Sequence, residues 1–149
     1  MPTSTPDLTQ RPPRSARVRL GGFALLPRLL DKARATLGGK QGEYHYDCPL
    51  DKHWFDFVGI SAEALLAELS KGRGDGEILE WVTANSQTKP SMVAILAWSA
   101  YHDQRGPTDV ESRQYFNDYQ AKVGPKREDI ASWFDVLDLD DYVSFGGVA

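Results

Sequence analysis

Apolar side chains recur at helical spacing along most of this chain, and no other feature of the sequence restricts its fold as strongly. Leu26 and Leu30 begin a stripe at positions i, i+4, i+7 and i+11, which is one face of a helix, and Gly38-Gly39 ends it. Pro27 fits the first turn of this helix, where its missing N–H group is not needed. Similar stripes return after short breaks, so the sequence predicts a succession of short amphipathic helices.

Several helix starts are marked by residues that favour the N-cap position. Ser61, Ser91 and Asp109 each precede an apolar stripe. Their side-chain oxygens can accept hydrogen bonds from the first backbone N–H groups of a helix. We therefore expect helices to begin directly after Ser61 and Ser91, and after Asp109 or one of its neighbours.

The most hydrophobic of these helices follows Ser91, and we expect it to be the central one. His102 would lie at its end, where a positive charge interacts favourably with the helix dipole. We expect the last helix to have Pro125 in its first turn. Strand and helix patterns do not alternate, which argues against a parallel sheet. The sequence thus predicts an all-α or predominantly α fold, a compact bundle of about six to seven short helices.

The N-terminal residues 1–16 differ from the rest of the chain. They contain four prolines among polar residues and show no hydrophobic periodicity. Proline lacks the N–H donor and favours extended neighbours. We therefore predict an extended arm rich in proline and arginine over residues 1–16, followed by a single helical domain over residues 17–149; a length of 149 residues fits one domain.

The single cysteine, Cys48, bears on the compartment. It has no partner for an internal disulfide, and the N-terminus lacks the basic, apolar and small-residue regions of a signal peptide. The longest unbroken apolar run, Met92–Trp98, is far shorter than the ~18–20 residues that a membrane span needs. We expect a cytoplasmic protein with no membrane contact.

Basic and acidic residues are unevenly distributed along the chain. Residues 1–40 carry a formal charge of +6 and the remainder −10, for a net charge of −4. The basic segment either meets an anionic partner or folds back on the acidic body of its own chain, and we favour the second interpretation. We expect no nucleic-acid partner, because an acidic chain is repelled by phosphates and no helix-turn-helix, zinc finger or basic-aromatic pattern is visible.

Reactive side chains are densest between His45 and His53, where Asp47, Cys48 and Asp51 also occur. A neighbouring imidazole can activate a thiol, which makes Cys48 and His45 the candidate catalytic residues of an enzyme. Three of the five could instead bind a metal, but the two close ligand pairs typical of structural zinc sites are missing, so we expect no metal site. The third alternative is a structural turn with a buried cysteine.

A second candidate site involves arginines of the arm and of the first helix. Guanidinium groups and the N-terminal amides of a helix both suit phosphate or carboxylate groups. The leading hypothesis is a binding module for a small anionic ligand, without a cofactor; the alternatives are an enzyme using the loop residues above, or a protein-interaction or self-associating domain with an exposed aromatic patch. The predicted ligand-binding residues are Arg14, Arg19, Asp31, Arg34, Tyr44, His45 and Tyr46.

Short strings of residues also resemble a known family. The distinctive one is the string from Glu43 to Asp51, and others are Pro13-Arg14-Ser15 and Gly74-Asp75-Gly76-Glu77. Together they resemble the bacterial family called domain of unknown function 5069, over a span from about Leu8 to the last helix. The resemblance implies a small, stand-alone cytoplasmic domain of bacteria with no established activity, and it transfers no catalytic residue.

Overall fold

The computed structural model describes residues 5–149, and this part of the chain is mainly helical. Seven helices and one two-stranded sheet are present among these residues, which confirms the predicted fold class. In chain order the elements are β1 (Arg19–Leu20), β2 (Phe23–Ala24), α1 (Leu26–Leu37), α2 (Pro49–Val58), α3 (Ala62–Leu69), α4 (Asp75–Asn85), α5 (Met92–Gln104), α6 (Val110–Val123) and α7 (Trp133–Ser144).

The predicted helix starts at Ser61, Ser91 and Asp109 are confirmed. The side chain of each residue accepts a hydrogen bond from the backbone N–H three positions later, at 3.1, 3.1 and 2.7 Å respectively. Pro27 lies in the first turn of α1, as expected. Local side-chain chemistry therefore determines where these four helices begin.

The start of the last helix is predicted wrongly. α7 begins at Trp133 rather than near Pro125. Ser132 accepts a hydrogen bond from Asp135 N–H at 3.1 Å, and the Asp135 carboxylate accepts from Ser132 N–H at 2.9 Å. This reciprocal capping box satisfies two backbone N–H donors. A proline is compatible with the first turn of a helix but provides no such hydrogen bonds.

A short hairpin connects the arm to α1. β1 and β2 pair antiparallel across Gly21 and Gly22, whose φ angles of 58° and 85° favour glycine. Ala24 N–H donates to Ser99 Oγ at 2.9 Å, which ties the hairpin to α5. Strands of two residues are too short to show an alternating pattern, so the sequence does not predict them.

The core lies around α1 rather than around α5. Leu26, Leu29 and Leu30 of α1 are fully buried and pack in one cluster with Trp54 of α2. In contrast, Val93 of α5 is 78% exposed. α5 is therefore a side of the bundle, and its high hydrophobicity does not make it the central helix.

The described part of the arm, residues 5–16, packs against the bundle. Leu8 is buried, and its N–H donates to Lys40 O at 2.9 Å. Ala16 is buried, and its carbonyl accepts from Leu25 N–H at 2.8 Å. Within residues 5–149, no helix has the length and apolarity needed to cross a membrane.

Candidate functional site

A cavity of about 770 Å³ lies between the arm, α1, α2, α6, α7 and the loop 42–48. Its volume falls in the range of small-molecule sites. Apolar and aromatic side chains form most of its wall, while three basic side chains also line it: Arg28, Lys32 and Arg105. We call this space the main cavity.

Arg28 is neutralised by a carboxylate of α7. Its Nη1 lies 2.7 Å from Asp141 Oδ2, and both side chains are almost fully buried. Tyr44 donates its hydroxyl to Asp141 Oδ1 at 2.7 Å, and the Arg28 guanidinium lies 5.4 Å from the centre of the Tyr44 ring. Burial, followed by the hydrogen bond to Asp141, raises the pKa of Tyr44, so this hydroxyl stays protonated.

Lys32 is neutralised in the same way by Asp51, which is fully buried. The distance from Lys32 Nζ to Asp51 Oδ2 is 2.8 Å. The same carboxylate oxygen accepts the N–H groups of Asp47 and Cys48 at 3.0 and 3.4 Å. Cys48 is the N-cap residue of α2, and its sulfur lies 3.4 Å from Lys32 Nζ in the cavity wall. Two positive partners, an ammonium group and a helix N-terminus, thus face this sulfur.

Arg105 differs from the other two cations of the main cavity. Its side chain forms no ion pair with any carboxylate of residues 5–149, although it is only partly exposed. Its carbonyl accepts a hydrogen bond from Trp133 N–H at 2.9 Å, which fixes this residue beside the start of α7. The guanidinium charge of Arg105 therefore has no internal counterion in the described part of the chain.

Two histidines also contribute to the wall of the main cavity. His45 and His53 are both exposed. Partial burial, followed by the positive charge of Arg105, lowers the pKa of His53. His53 lies 5.4 Å from His102, measured between ring centres.

His102 itself is buried at 3% exposure, which corrects its expected role at the end of α5. Burial, with smaller contributions from His53 and Arg105, lowers the pKa of His102 to about 4. The imidazole is therefore neutral at pH 7, so no positive charge of His102 interacts with the dipole of α5. Its ring packs on Trp98 at a centre-to-centre distance of 4.2 Å.

Aromatic rings of α6 and α7 form one side of the main cavity. The ring centre of Tyr115 lies 6.1 Å from Trp133 and 6.3 Å from Tyr119. Tyr119 donates its hydroxyl to Asp140, so that group is already engaged. Burial, followed by this hydrogen bond, raises the pKa of Tyr119. Tyr115 is 63% exposed, so an aromatic ring stands open to solvent at the cavity.

The arginines predicted to hold an anion instead contact carboxylates of their own chain. Arg14 donates to Asp31 Oδ1 at 3.1 Å and to Asp75 Oδ2 at 2.7 Å, and Arg34 donates to Asp75 Oδ1 at 2.7 Å. Burial alone would raise the pKa of Asp75, but the hydrogen bonds from Arg14 and then Arg34 lower it. We call Arg14, Asp31, Arg34 and Asp75 the arm cluster. None of the four lines the main cavity.

The remaining predicted ligand-binding residues divide between two places. Tyr44 and His45 line the main cavity. Arg19 pairs with Asp103 at 2.7 Å, and Tyr46 donates its hydroxyl to Ala62 O at 2.7 Å, both outside the cavity wall. The structure therefore brings two of the seven predicted residues to the main cavity and three, Arg14, Asp31 and Arg34, to the arm cluster.

The candidate catalytic residues Cys48 and His45 both line the main cavity, and so does His53. Nevertheless, no group of three or more His, Cys, Asp or Glu side chains in residues 5–149 is arranged to hold a metal ion. These three residues line the same cavity, but they are not arranged to coordinate a metal ion.

Sequence reasoning missed the cation and the aromatic wall of the main cavity. Arg105 follows α5 without any neighbouring pattern that distinguishes it from other basic residues. Tyr115 and Tyr119 do show helical spacing, but such a stripe is typical of a core. Trp133 begins α7, but the sequence predicts that this helix starts near Pro125. These four residues line one cavity only in the folded protein, where α2, α6 and α7 meet.

The exposed apolar side chains of α5 are relevant to the prediction that the protein self-associates. Met92, Val93, Leu96 and Tyr101 are between 45% and 78% exposed, and no charged residue lies between them in the sequence. Exposed apolar patches are typical of interaction surfaces. Self-association stays a prediction, which the particle mass in size-exclusion chromatography with light scattering tests.

Comparison with known proteins assigns the chain to a family but to no activity. No curated protein matches the chain. A family model described as a domain of unknown function, DUF5069, matches residues 10–143, and the chain therefore belongs to this family.

Proposed function

We propose that the protein binds a small anionic molecule in the main cavity, with Arg105 as the residue that holds the negative group. One observation carries this proposal: Arg105 lines the cavity and has no carboxylate partner within residues 5–149. Arg28 and Lys32 line the same cavity, but Asp141 and Asp51 neutralise them. A ligand carboxylate or phosphate would supply the missing counterion.

The chemistry of the wall supports this assignment. A guanidinium group presents parallel N–H donors that match the two oxygens of a carboxylate or phosphate. The surrounding apolar side chains lower the local dielectric constant, which strengthens such an ion pair relative to water. His45 and His53 add imidazole nitrogens on the same wall.

The proposal keeps the predicted ligand class but moves the site. Tyr44 and His45 remain in it, whereas Arg14, Arg19 and Arg34 do not line the cavity. We keep the bacterial cytoplasm as the expected compartment, on the grounds of the single cysteine and the family resemblance.

Thermal unfolding with a panel of carboxylates and phosphates at millimolar concentration tests the proposal. A ligand present at 100 times its Kd adds about 2.7 kcal/mol to the free energy of unfolding, which raises the Tm measurably. Arg105→Gln is expected to abolish the shift. Arg113→Gln is the matched control, because Arg113 is also an arginine without an ion pair in the described residues but lies outside the cavity.

Two results would contradict the proposal. One is the absence of stabilisation by every anion in the panel. The other is an equal shift in the wild-type protein and in Arg105→Gln, because the bound anion would then not depend on the guanidinium group.

An enzyme that uses Cys48 is the second candidate function, favoured by one specific contact. The Cys48 sulfur lies in the cavity wall, 3.4 Å from the Lys32 ammonium and at the N-terminus of α2. Positive groups beside the sulfur are typical of nucleophilic cysteines. Iodoacetamide tests this contact, because the thiolate forms an S–C bond and releases iodide. We expect faster alkylation than for free cysteine at pH 7 and a slower rate in Lys32→Met; an unmodified Cys48 in the folded protein argues against an enzyme of this kind.

A further inference from the structure

The walls of the main cavity also restrict the kind of anion that fits. We infer that its ligand is an aromatic monoanion: a flat ring carrying a single carboxylate-type group, rather than an inorganic anion or a polyphosphate. This inference rests on the proposed function and narrows its ligand class.

The first argument is the balance of charge along the wall. Arg105 supplies one positive charge that no carboxylate of residues 5–149 neutralises. Glu43 and Asp140 line the same cavity and also form no ion pair in this part of the chain. A ligand with several negative charges would meet one guanidinium group and two carboxylates. Like charges at close range cost free energy, so any negative charge of a ligand beyond the one that pairs with Arg105 meets only carboxylates on this wall.

The second argument is the volume that a ligand must fill. A water molecule takes up about 30 Å³ of liquid volume. A cavity of about 770 Å³ is therefore far larger than a phosphate or acetate ion. Such an ion would leave the apolar wall in contact with water, whereas a ligand with a larger apolar body would displace that water.

The third argument is the shape of the apolar wall. The ring centre of Tyr115 lies 6.3 Å from that of Tyr119 and 6.1 Å from that of Trp133, which are separations at which aromatic rings pack against one another. Tyr115 is 63% exposed as a residue, although it lines the main cavity. A flat ring of the ligand would pack against this surface and cover it.

Arg105 and Trp133 would contact the two ends of such a ligand, Arg105 the carboxylate and Trp133 the ring. The hydrogen bond from Trp133 N–H to Arg105 O, 2.9 Å long, joins the backbones of these two residues, and both residues line the main cavity. A carboxylate joined to a ring by few bonds can therefore reach both. Aryl carboxylates have this form.

Isothermal titration of the full chain with four probes tests the inference. The probes are 2-naphthoate, inorganic phosphate, the uncharged 2-naphthalenemethanol and ATP. We expect 2-naphthoate to bind at least about tenfold more tightly than each of the other three, because it alone combines one charge with a flat ring.

Three variants connect the affinity to the named residues. Arg105→Gln is expected to weaken 2-naphthoate by about tenfold or more. Tyr115→Ser removes an exposed ring and is expected to weaken 2-naphthoate by about threefold to tenfold while leaving phosphate unchanged. Tyr101→Ser is the matched control, because Tyr101 is 58% exposed on α5 and does not line the cavity. The probe series on the wild-type protein decides the matter even if a variant folds poorly.

The possible failures are distinguishable. If phosphate or ATP binds as tightly as 2-naphthoate and Arg105→Gln abolishes that binding, the aromatic monoanion is wrong while the anion site stands. If 2-naphthalenemethanol binds as well as 2-naphthoate and Arg105→Gln has no effect, both the inference and the proposed function are wrong. If none of the four probes binds at millimolar concentration, both are wrong as well.

Discussion

The arm cluster and the main cavity both contain arginine residues, but they differ in whether each arginine has a carboxylate partner. In the arm cluster, Arg14 and Arg34 share Asp75, and Arg14 also contacts Asp31. In the main cavity, Arg105 has no carboxylate partner within residues 5–149. The basic N-terminal segment is thus largely matched by the acidic body of the same chain. We therefore place the proposed anion site at the charge that lacks a carboxylate partner, not in the stretch of sequence with the most basic residues.

The largest expected effect comes from breaking a compensated pair in the cavity wall. Lys32→Met leaves the fully buried Asp51 without its counterion, and losing one partner of a buried ion pair costs about 3–5 kcal/mol. Urea unfolding measures this loss. The double variant Lys32→Met/Asp51→Leu is expected to recover part of it, because it removes both charges. Lys52→Met, which removes an exposed lysine paired with Asp47, is the control. An equal loss in Lys32→Met and Lys52→Met would contradict the prediction.

The next effect comes from the charge of Arg105 on the neighbouring histidines. In the folded protein the pKa of His102 is about 4, whereas an unfolded histidine has a pKa of about 6.5. Between pH 6.5 and 4 the unfolded state binds more protons, so acidification lowers the free energy of unfolding, by at most about 3 kcal/mol. Because Arg105 is one cause of the low value, Arg105→Gln is expected to raise the pKa of His102.

Nuclear magnetic resonance titration of the imidazole protons measures this change. Arg113→Gln is expected to leave the titration of His102 as in the wild-type protein, because no influence of Arg113 on this pKa is resolved. A titration midpoint of His102 that stays the same in Arg105→Gln would show that Arg105 is not the uncompensated charge of this region.

A smaller effect is expected where a half-exposed carboxylate joins two arginines. Asp75→Asn removes the counterion of Arg14 and Arg34, and we expect a loss of about 1–2 kcal/mol because solvent screens part of each pair. Affinity for 2-naphthoate should not change. Glu80→Gln on the same helix is the control, measured by urea unfolding and by titration. A strong change in affinity on Asp75→Asn would place the anion site in the arm cluster.

The smallest effect is expected at Arg17, which pairs with Asp135 and Asp138 at the protein surface. The side chains are 39%, 26% and 36% exposed. Exposed pairs of this kind contribute about 0.2–1 kcal/mol, and salt screens them. Arg17→Gln should therefore lower the free energy of unfolding only slightly at low ionic strength and not at all in 1 M NaCl. A loss that persists in 1 M NaCl would show that Arg17 acts through packing.

The sequence predicts those parts of the fold that depend on neighbouring residues. Ser61, Ser91 and Asp109 cap helices through hydrogen bonds to N–H groups three positions away, so a short string contains the whole signal. The central position of α1 depends instead on which helices surround it. Hydrophobicity alone favoured α5, whose outer face is exposed at Val93.

The candidate site was less predictable for the same physical reason. The loop with His45 and Cys48 was identified because reactive residues lie close together in the sequence. Arg105, Tyr115 and Trp133 lie in three separate segments and meet only through the packing of α6 and α7. Whether an arginine has a counterion depends on residues far along the chain, so a count of local charge does not predict it.

The ion pairs of the N-terminal segment have a consequence for the order in which the chain is made. Arg17 and Asp138 are 121 residues apart, and Arg28 and Asp141 are 113 residues apart. At a synthesis rate of ~5–20 residues per second, Arg17 is synthesised roughly 6–24 s before Asp138, its partner in α7. During that interval the nascent chain carries cations whose counterions have not yet been translated. The ion pairs between the N-terminal segment and α7 can therefore form only after α7 has been synthesised.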